Sequence, residues 1–359
     1  MQSSGPQNSL KVLIFGAGAI GTYIGGSLVL AGHQVVFIER QKNANELRER
    51  GLRLDLTRDE RRNTKDAYVI EPRSFVVASS LEEALNFGPF DVAIFALKSY
   101  DTAAALEGMK LFTSKLPPTL CLCNGVDNEQ SIANVLGMEK VIYGTVTTAV
   151  GRRGPGDIVL EKLRGVGIAA GHLLSEKLVA SFENAYLKSR LYSDAQSMKW
   201  SKMLTNLIAN PTSAILNMTA AQVLANKELY KLEIDMLCEC LAVMKAKNLR
   251  VVDPPGTPAK ALAFATKLPL WLSQPLVSRV AGRGRGGKMP SFHIDLHSGR
   301  GKSEVEFLHG AIVRAGKEYG IPTPVNELLT NTLISLTKKE IPLEEYANQP
   351  DKLLAKLEH

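Results

Sequence analysis

Cysteine is scarce. Four among 359 residues cannot form a disulfide scaffold, so a reducing compartment, the cytoplasm, is expected. Long apolar runs are missing as well. No stretch reaches the ~18 residues that a membrane helix needs. The most apolar late segment, Ala261 to Val277, is broken by Lys267, Pro269 and Pro275. Near the start, Lys11 and the following VLIFGAGAIGTYIGGSLVLAG imitate a signal peptide, but no small-residue cleavage site followed by a new start is evident. A strong charge imbalance is lacking too: 43 basic against 36 acidic residues leave +7. That excess favours anionic ligands and falls short of a nucleic-acid footprint. There is no internal repeat. What is present, 45% hydrophobic and 22% charged residues, is ordinary globular composition. At ~150 residues per domain the length suggests two domains.

The first part of the chain alternates strands and helices. A polar tail over residues 1–9 is expected to be frayed. Lys11 to Phe15 reads as a buried strand, Ala19 to Ala31 as a small-residue helix stopped by Gly32, and Gln34 to Ile38 as a second strand. Asn43 to Arg50 is a short polar helix. Asp91 to Leu97 is an apolar strand of the kind buried on both sheet faces, and Asn128 to Leu136 is helical. From Val141 the strands are separated by Gly and Pro, with the look of a meander closing the domain. After about Asp194 the patterns become helical: Gln196 to Leu224, Lys227 to Lys247, Ser303 to Tyr319 and Val325 to Lys338. The reading is an N-terminal α/β Rossmann-type doubly wound sheet over 1–194 and an all-α C-terminal domain over 195–356. A Pro/Gly/Arg-rich insert of low regular content occupies 251–290, and 357–359 resembles an affinity-tag remnant.

Gly16, Ala17, Gly18, Ala19, Ile20 and Gly21 form a G-x-G-x-x-G that leaves a strand and opens a helix. In that setting Gly16 permits the tight turn, Gly18 lets backbone approach a pyrophosphate, and Gly21 lets helix pack on strand. The helix N-terminus then offers its free N–H groups to the phosphates. Cofactor choice turns on Glu39-Arg40-Gln41-Lys42. An acid about 20 residues past the glycines holds the ribose hydroxyls of NAD. A guanidinium suits the 2′-phosphate of NADP. The favoured arrangement has Arg40 on the phosphate and Glu39 turned away, which keeps NADPH first and NAD open.

The most informative spacing lies in Lys199 to Pro211. Lys202, Asn206 and Asn210 recur at i, i+4 and i+8, one stripe of a single helix, beside apolar Met203, Leu207 and Ile208. A lysine and two amides on such a face suit a partner that offers oxygens, since buried polar groups without one are costly. Glu304, in the first turn of a later helix carrying Phe307, Leu308 and Ile312 inward, is a carboxylate that such a lysine could meet. Other signals are set aside. His293 and His297 lack a third ligand at matching spacing, so no metal is expected. Cys121-x-Cys123 and Cys238-x-Cys240 read as buried packing. Arg279 to Lys288 lacks interleaved aromatics and reads as a solvated loop, so neither nucleic acid nor membrane is expected as a partner.

Taken with LKSYDT (Leu97 to Thr102), CNGVDNE (Cys123 to Glu129), WSKMLTNLIANP (Trp200 to Pro211), PSFHID and KSEVEF, these residues make the chain resemble the ketopantoate reductase (2-dehydropantoate 2-reductase) family over most of its length. The lysine helix is the most specific element. The resemblance implies Lys202 as the catalytic lysine and proton donor, and Glu304 as the carboxylate for the substrate hydroxyl. Asn206 and Asn210 are then the substrate-contacting amides, and Ser291 is the contact to the substrate carboxylate. It also implies Asn124 between cofactor and substrate, Lys98 near the nicotinamide-nucleotide pocket and Arg40 on the 2′-phosphate. The implied reaction is NADPH-dependent reduction of ketopantoate to pantoate, within pantothenate and coenzyme A synthesis, in a cleft between the domains. The 251–290 insert looks longer and more basic than in the family. A related reductase of another 2-keto or hydroxy acid, or a non-catalytic NADPH sensor, are the alternatives, and a homodimer stays open.

Overall fold

The computed structural model describes residues 9–283 and 289–357. The frayed-tail and tag-remnant readings therefore lie outside the described residues, apart from Ser9 and Leu357. Ser9 itself is tied down, its hydroxyl donating to Gly32 O. The chain forms two compact units. The first holds residues up to Cys123, Asn128–Met198 and Pro254–Thr257; the second holds Asn124–Asp127, Lys199–Asp253 and the residues from Pro258 on.

The first unit is built on strand–helix alternation. In β1 (Lys11–Phe15), Val12 and Ile14 join one core with Tyr23, Ile24 and Leu28 of α1 (Ala19–Leu30). Leu13 and Phe15 join the opposite core. Both faces are covered, so the strand is apolar throughout from Val12 to Phe15. The unit continues through β2 (Gln34–Ile38), α2 (Gln41–Arg50), β3 (Leu52–Asp55), β4 (Tyr68–Ile70), β5 (Val76–Ala78), α3 (Leu81–Leu85), β6 (Val92–Phe95), α4 (Thr102–Met109), β7 (Thr119–Cys121) and α5 (Asn128–Leu136). It closes with β8 (Val141–Val146), β9 (Ala149–Gly154), β10 (Asp157–Lys162), β11 (Val166–Ala169), α6 (Ser175–Asn184) and β12 (Ser189–Tyr192).

Eight strands form the main sheet in the order β12-β11-β8-β7-β6-β1-β2-β5, parallel except where β11 meets β8. The chain winds outward from β1 to β2 and β5, then returns to β6 on the other side of β1. This is the doubly wound arrangement, and its switch point lies at the carboxyl ends of β1 and β6, where ligands bind in open α/β sheets.

The expected meander is not what forms. β8 and β11 stay in the main sheet, while β9 and β10 leave it and join β3 and β4 in a separate four-stranded sheet, β10 pairing with β3. Burial explains the split: Ile158 and Leu160 of β10 pack in the same core as Leu52 and Leu54 of β3. α6 and β12 had no counterpart in the sequence reading. The edge strand β12 is mostly exposed, so it carries little apolar pattern.

The second unit is helical: α7 (Ala195–Leu207), α8 (Pro211–Leu216), α9 (Ala220–Ala225), α10 (Lys227–Ala246), α11 (Ala259–Ala265), α12 (Leu270–Arg283), α13 (Ser291–His297), α14 (Val305–Tyr319), α15 (Pro324–Thr337) and α16 (Pro350–Leu354). The long helix expected over 196–224 is three helices. Ala209 and Asn217 adopt left-handed φ values of 51° each, and Pro211, which has no N–H to donate, starts α8. The insert over 251–290 also departs from expectation. It contains α11 and α12, and the latter starts just after Pro269 and accommodates Pro275 inside it. Among the cysteines, Cys121, Cys123 and Cys240 are buried as expected, whereas Cys238 is exposed.

Candidate active site

The glycine turn sits at the switch point of the first unit. Gly16 has φ +90°, and a Cβ on Gly21 would lie 1.8 Å from Gly16 O, so only glycine lets α1 start this close to the turn. In front of Gly18 the space is open: a Cβ there would meet nothing within 4 Å. Gly18 is the N-cap of α1 with no side-chain cap, and the first turn of α1 has no acid. Ala17 and Ile20 pack against the core below, and Ala19 begins the helix. An uncapped twelve-residue helix facing open space fits the phosphates of a dinucleotide. Lys98 follows β6 at the other side of the switch point, half-buried at the start of a short turn of helix.

Glu39 is not turned away. Its Oε2 accepts from Ala17 N at 3.0 Å within the glycine turn, and its Oε1 accepts from Arg40 N and Asn43 Nδ2. The Arg40 side chain is 81% exposed, its nearest acid Asp101 at 3.8 Å. An ion pair this open to water holds the guanidinium weakly.

The second unit gathers the remaining candidate residues. On α7, Lys202 Nζ donates to Asn206 Oδ1 at 2.6 Å. Asn206 Nδ2 lies 3.5 Å from Asn124 Oδ1, and Asn124 Nδ2 lies 3.5 Å from Glu304 Oε2. Asn124 comes from the short 124–127 loop, which packs tightly on α14. Gly125 has φ +84°, and a Cβ there would stand 2.6 Å from Phe307 O. Glu304, 1% exposed, is the N-cap of α14 and not part of its first turn. A carboxylate there also complements the helix dipole.

Asn210 reaches the same cluster by another route. It is not on the helix of Lys202 and Asn206 but at the N-cap of α8. Even so its Nδ2 donates to Asn206 O at 3.0 Å and to Ser291 Oγ at 3.2 Å, and its Oδ1 accepts from Phe292 N at 3.1 Å. The fold thus brings Lys202, Asn206, Asn124, Glu304, Asn210 and Ser291 into one hydrogen-bonded run. An ammonium stands near one part of it and a carboxylate near another.

One residue that supports this run is absent from the sequence reading. Glu233, fully buried on α10, accepts from Ala209 N at 2.6 Å and from the Thr212 hydroxyl. It anchors the break between α7 and α8 and so sets where Asn210 stands. No local spacing marks it, because its partners lie 21 and 24 residues away. Behind Ser291, Phe292 packs edge-on to the fully buried His309. Burial pushes the His309 ring down to about 4. The His293 and His297 rings lie 4.1 Å apart, and burial, with His297 beside it, lowers His293 below the usual histidine range.

The model of the family described as "Ketopantoate reductase PanE/ApbA" matches residues 12–171, and that of its C-terminal part matches residues 194–337. The chain belongs to the ketopantoate reductase family. This is a family of oxidoreductases with a Rossmann-like N-terminal part. A 2-dehydropantoate 2-reductase of Archaeoglobus fulgidus is 27% identical over 325 residues, 89% of this chain and 96% of the relative. One from Aquifex aeolicus is 25% identical over 327 residues, 89% and 95% of the two chains. Among solved structures, a PanE/ApbA family ketopantoate reductase from Ralstonia eutropha superposes with a TM-score of 0.75 at 26% identity, covering 92% of this chain and 99% of the other. A D-mandelate dehydrogenase solved with NADH and anilino(oxo)acetate shares the fold at 21% identity and a TM-score of 0.72, covering 92% and 99%.

Proposed function

We propose that this member of the ketopantoate reductase family reduces ketopantoate to pantoate with NADPH. The observation that carries the reading is the run of side chains in the second unit. It offers an ammonium (Lys202), a carboxylate (Glu304) and amides between them, matching a substrate with a keto group and a hydroxyl on one short carbon chain. When bound, the reduced nicotinamide dinucleotide supplies hydride to the keto carbon. Lys202, held by Asn206, stabilises the negative charge developing on the keto oxygen and transfers a proton to it, leaving a neutral amine that solvent reprotonates. Glu304 accepts a hydrogen bond from the substrate hydroxyl. Ser291, whose hydroxyl accepts from Asn210 Nδ2, donates to the substrate carboxylate, and Asn124 orients the substrate beside Asn206.

The open space before Gly18 and the uncapped start of α1 support a dinucleotide, and the exposed guanidinium of Arg40 supports the 2′-phosphate. A second reading, NADH, is favoured by Glu39: its carboxylate lies on the glycine turn, where an acid receives ribose hydroxyls.

Steady-state oxidation of NADPH and of NADH with ketopantoate and a panel of 2-keto acids tests these readings. The expected result is the highest kcat/KM with NADPH and ketopantoate. Lys202→Ala should lose roughly 10²–10⁴ in kcat while still binding NADPH. Near-full turnover by that variant removes Lys202 from the role. Tight NADPH binding with no turnover on any acid points to a sensor.

A further inference from the structure

The helix α12 buries one stripe and exposes another. Ser273 and Val277 face the core side, and Gln274 and Ser278 donate to backbone carbonyls at the end of α9. Around the helix, Trp271, Leu272, Pro275 and Leu276 are exposed at spacings i, i+1, i+4 and i+5, and exposed Arg279 follows at i+8. Trp271 is 76% exposed and Leu276 52%. On the preceding helix, α11, Phe264 is exposed as well. Exposed side chains of this size gathered on one element mark an interaction surface.

Charge indicates the occupant. From Pro254 to Ile294 the chain has six lysines and arginines and no aspartate or glutamate. The helix beneath, α9, has the sequence AAQVLA and contributes no carboxylate either. An apolar stripe with cations and no acids complements an anionic surface. A second copy docking through the same face would set cations against cations. A fourteen-residue helix with one exposed apolar stripe suits a position along a membrane surface. Of the segment Arg279 to Lys288, expected as a solvated loop, residues 284–288 lie outside the described residues, and Arg279 stands exposed on α12.

We propose that α12 docks the protein on bilayers containing anionic phospholipid, with Trp271 and Leu276 entering the headgroup boundary and Lys267 and Arg279 meeting lipid phosphates. The chain supplies its own probe, because its only other tryptophan, Trp200, is 2% exposed. Emission of the full-length protein is to be recorded with vesicles of phosphatidylcholine alone and of phosphatidylcholine mixed equally with phosphatidylserine. A blue shift confined to the phosphatidylserine vesicles and weakened by salt is expected. Arg279→Gln should reduce partitioning roughly fivefold. Leu276→Asp should abolish it while leaving turnover in vesicle-free buffer unchanged. No shift at low salt, or an equal shift with both vesicles, overturns the proposal. So does a shift that appears with protein concentration alone, together with a doubled mass that Leu276→Asp halves, because the occupant is then a second copy.

Discussion

Replacing Glu233 separates the scaffold of the site from its chemistry. Its carboxylate is the acceptor for two buried donors, Ala209 N–H and the Thr212 hydroxyl. In Glu233→Ala both donors lose this acceptor at a buried position. At roughly 2 kcal/mol for each orphaned buried donor, the expected destabilisation is about 4 kcal/mol. Ala209 also sits at φ 51°, a conformation that a non-glycine residue holds only when its surroundings impose it. Without the anchor the kink relaxes and Asn210 leaves its position between Asn206 and Ser291. Urea unfolding measures the first effect; Glu233→Gln, which keeps one acceptor oxygen, should fall about midway. Steady-state kinetics measure the second. If Ser291, held by Asn210, binds the substrate carboxylate, KM for ketopantoate should rise roughly tenfold, as for the loss of about one charge-assisted hydrogen bond, while kcat changes little. An unfolding free energy within about 1 kcal/mol of wild type would refute the reasoning, since two stranded donors cannot cost so little.

The glycine turn and the buried histidine give further tests. Gly21→Ala drives a Cβ into Gly16 O and should cost roughly 1–3 kcal/mol of stability, read by thermal unfolding. Gly18→Ala meets no atom, so stability should hold within ~0.5 kcal/mol. NADPH affinity, measured by titration calorimetry, should nevertheless fall roughly tenfold in that variant. His309 is lowered from the ordinary 6.5 to about 4 by burial, so the unfolded chain takes up a proton that the native one refuses. Stability is full above 6.5 and is lost as pH falls towards 4, by about 3 kcal/mol in all. His309→Leu, measured by urea unfolding across that range, should show a flatter dependence, and equal slopes would sink the assignment.

Much of the first unit was legible locally. β1 and β2 form at Lys11–Phe15 and Gln34–Ile38, the ranges their apolar runs mark, and the glycines between them announce the turn. Asn128–Leu136 is likewise the helix its pattern marks. The departures share a cause. β10 leaves the expected meander because Ile158 and Leu160 find Leu52 and Leu54, about a hundred residues earlier, and no local pattern records that choice. α12 forms around Pro275 and against α9 although its composition suggests a loop.

The sequence by itself determined the doubly wound sheet, the glycine turn and the helical character of the second part, because strand and helix periods and backbone-permissive glycines act over a few residues. Only the tertiary structure decided which polar groups meet. Asn210 joins Asn206 through a broken helix and not a continuous one. Asn124 and Glu304, 180 residues apart, come together because Gly125 lets the 124–127 loop lie against α14. Glu39 turns back to Ala17 because that N–H needs an acceptor. Such pairings depend on long-range packing and on satisfying buried donors, which a periodic pattern does not encode.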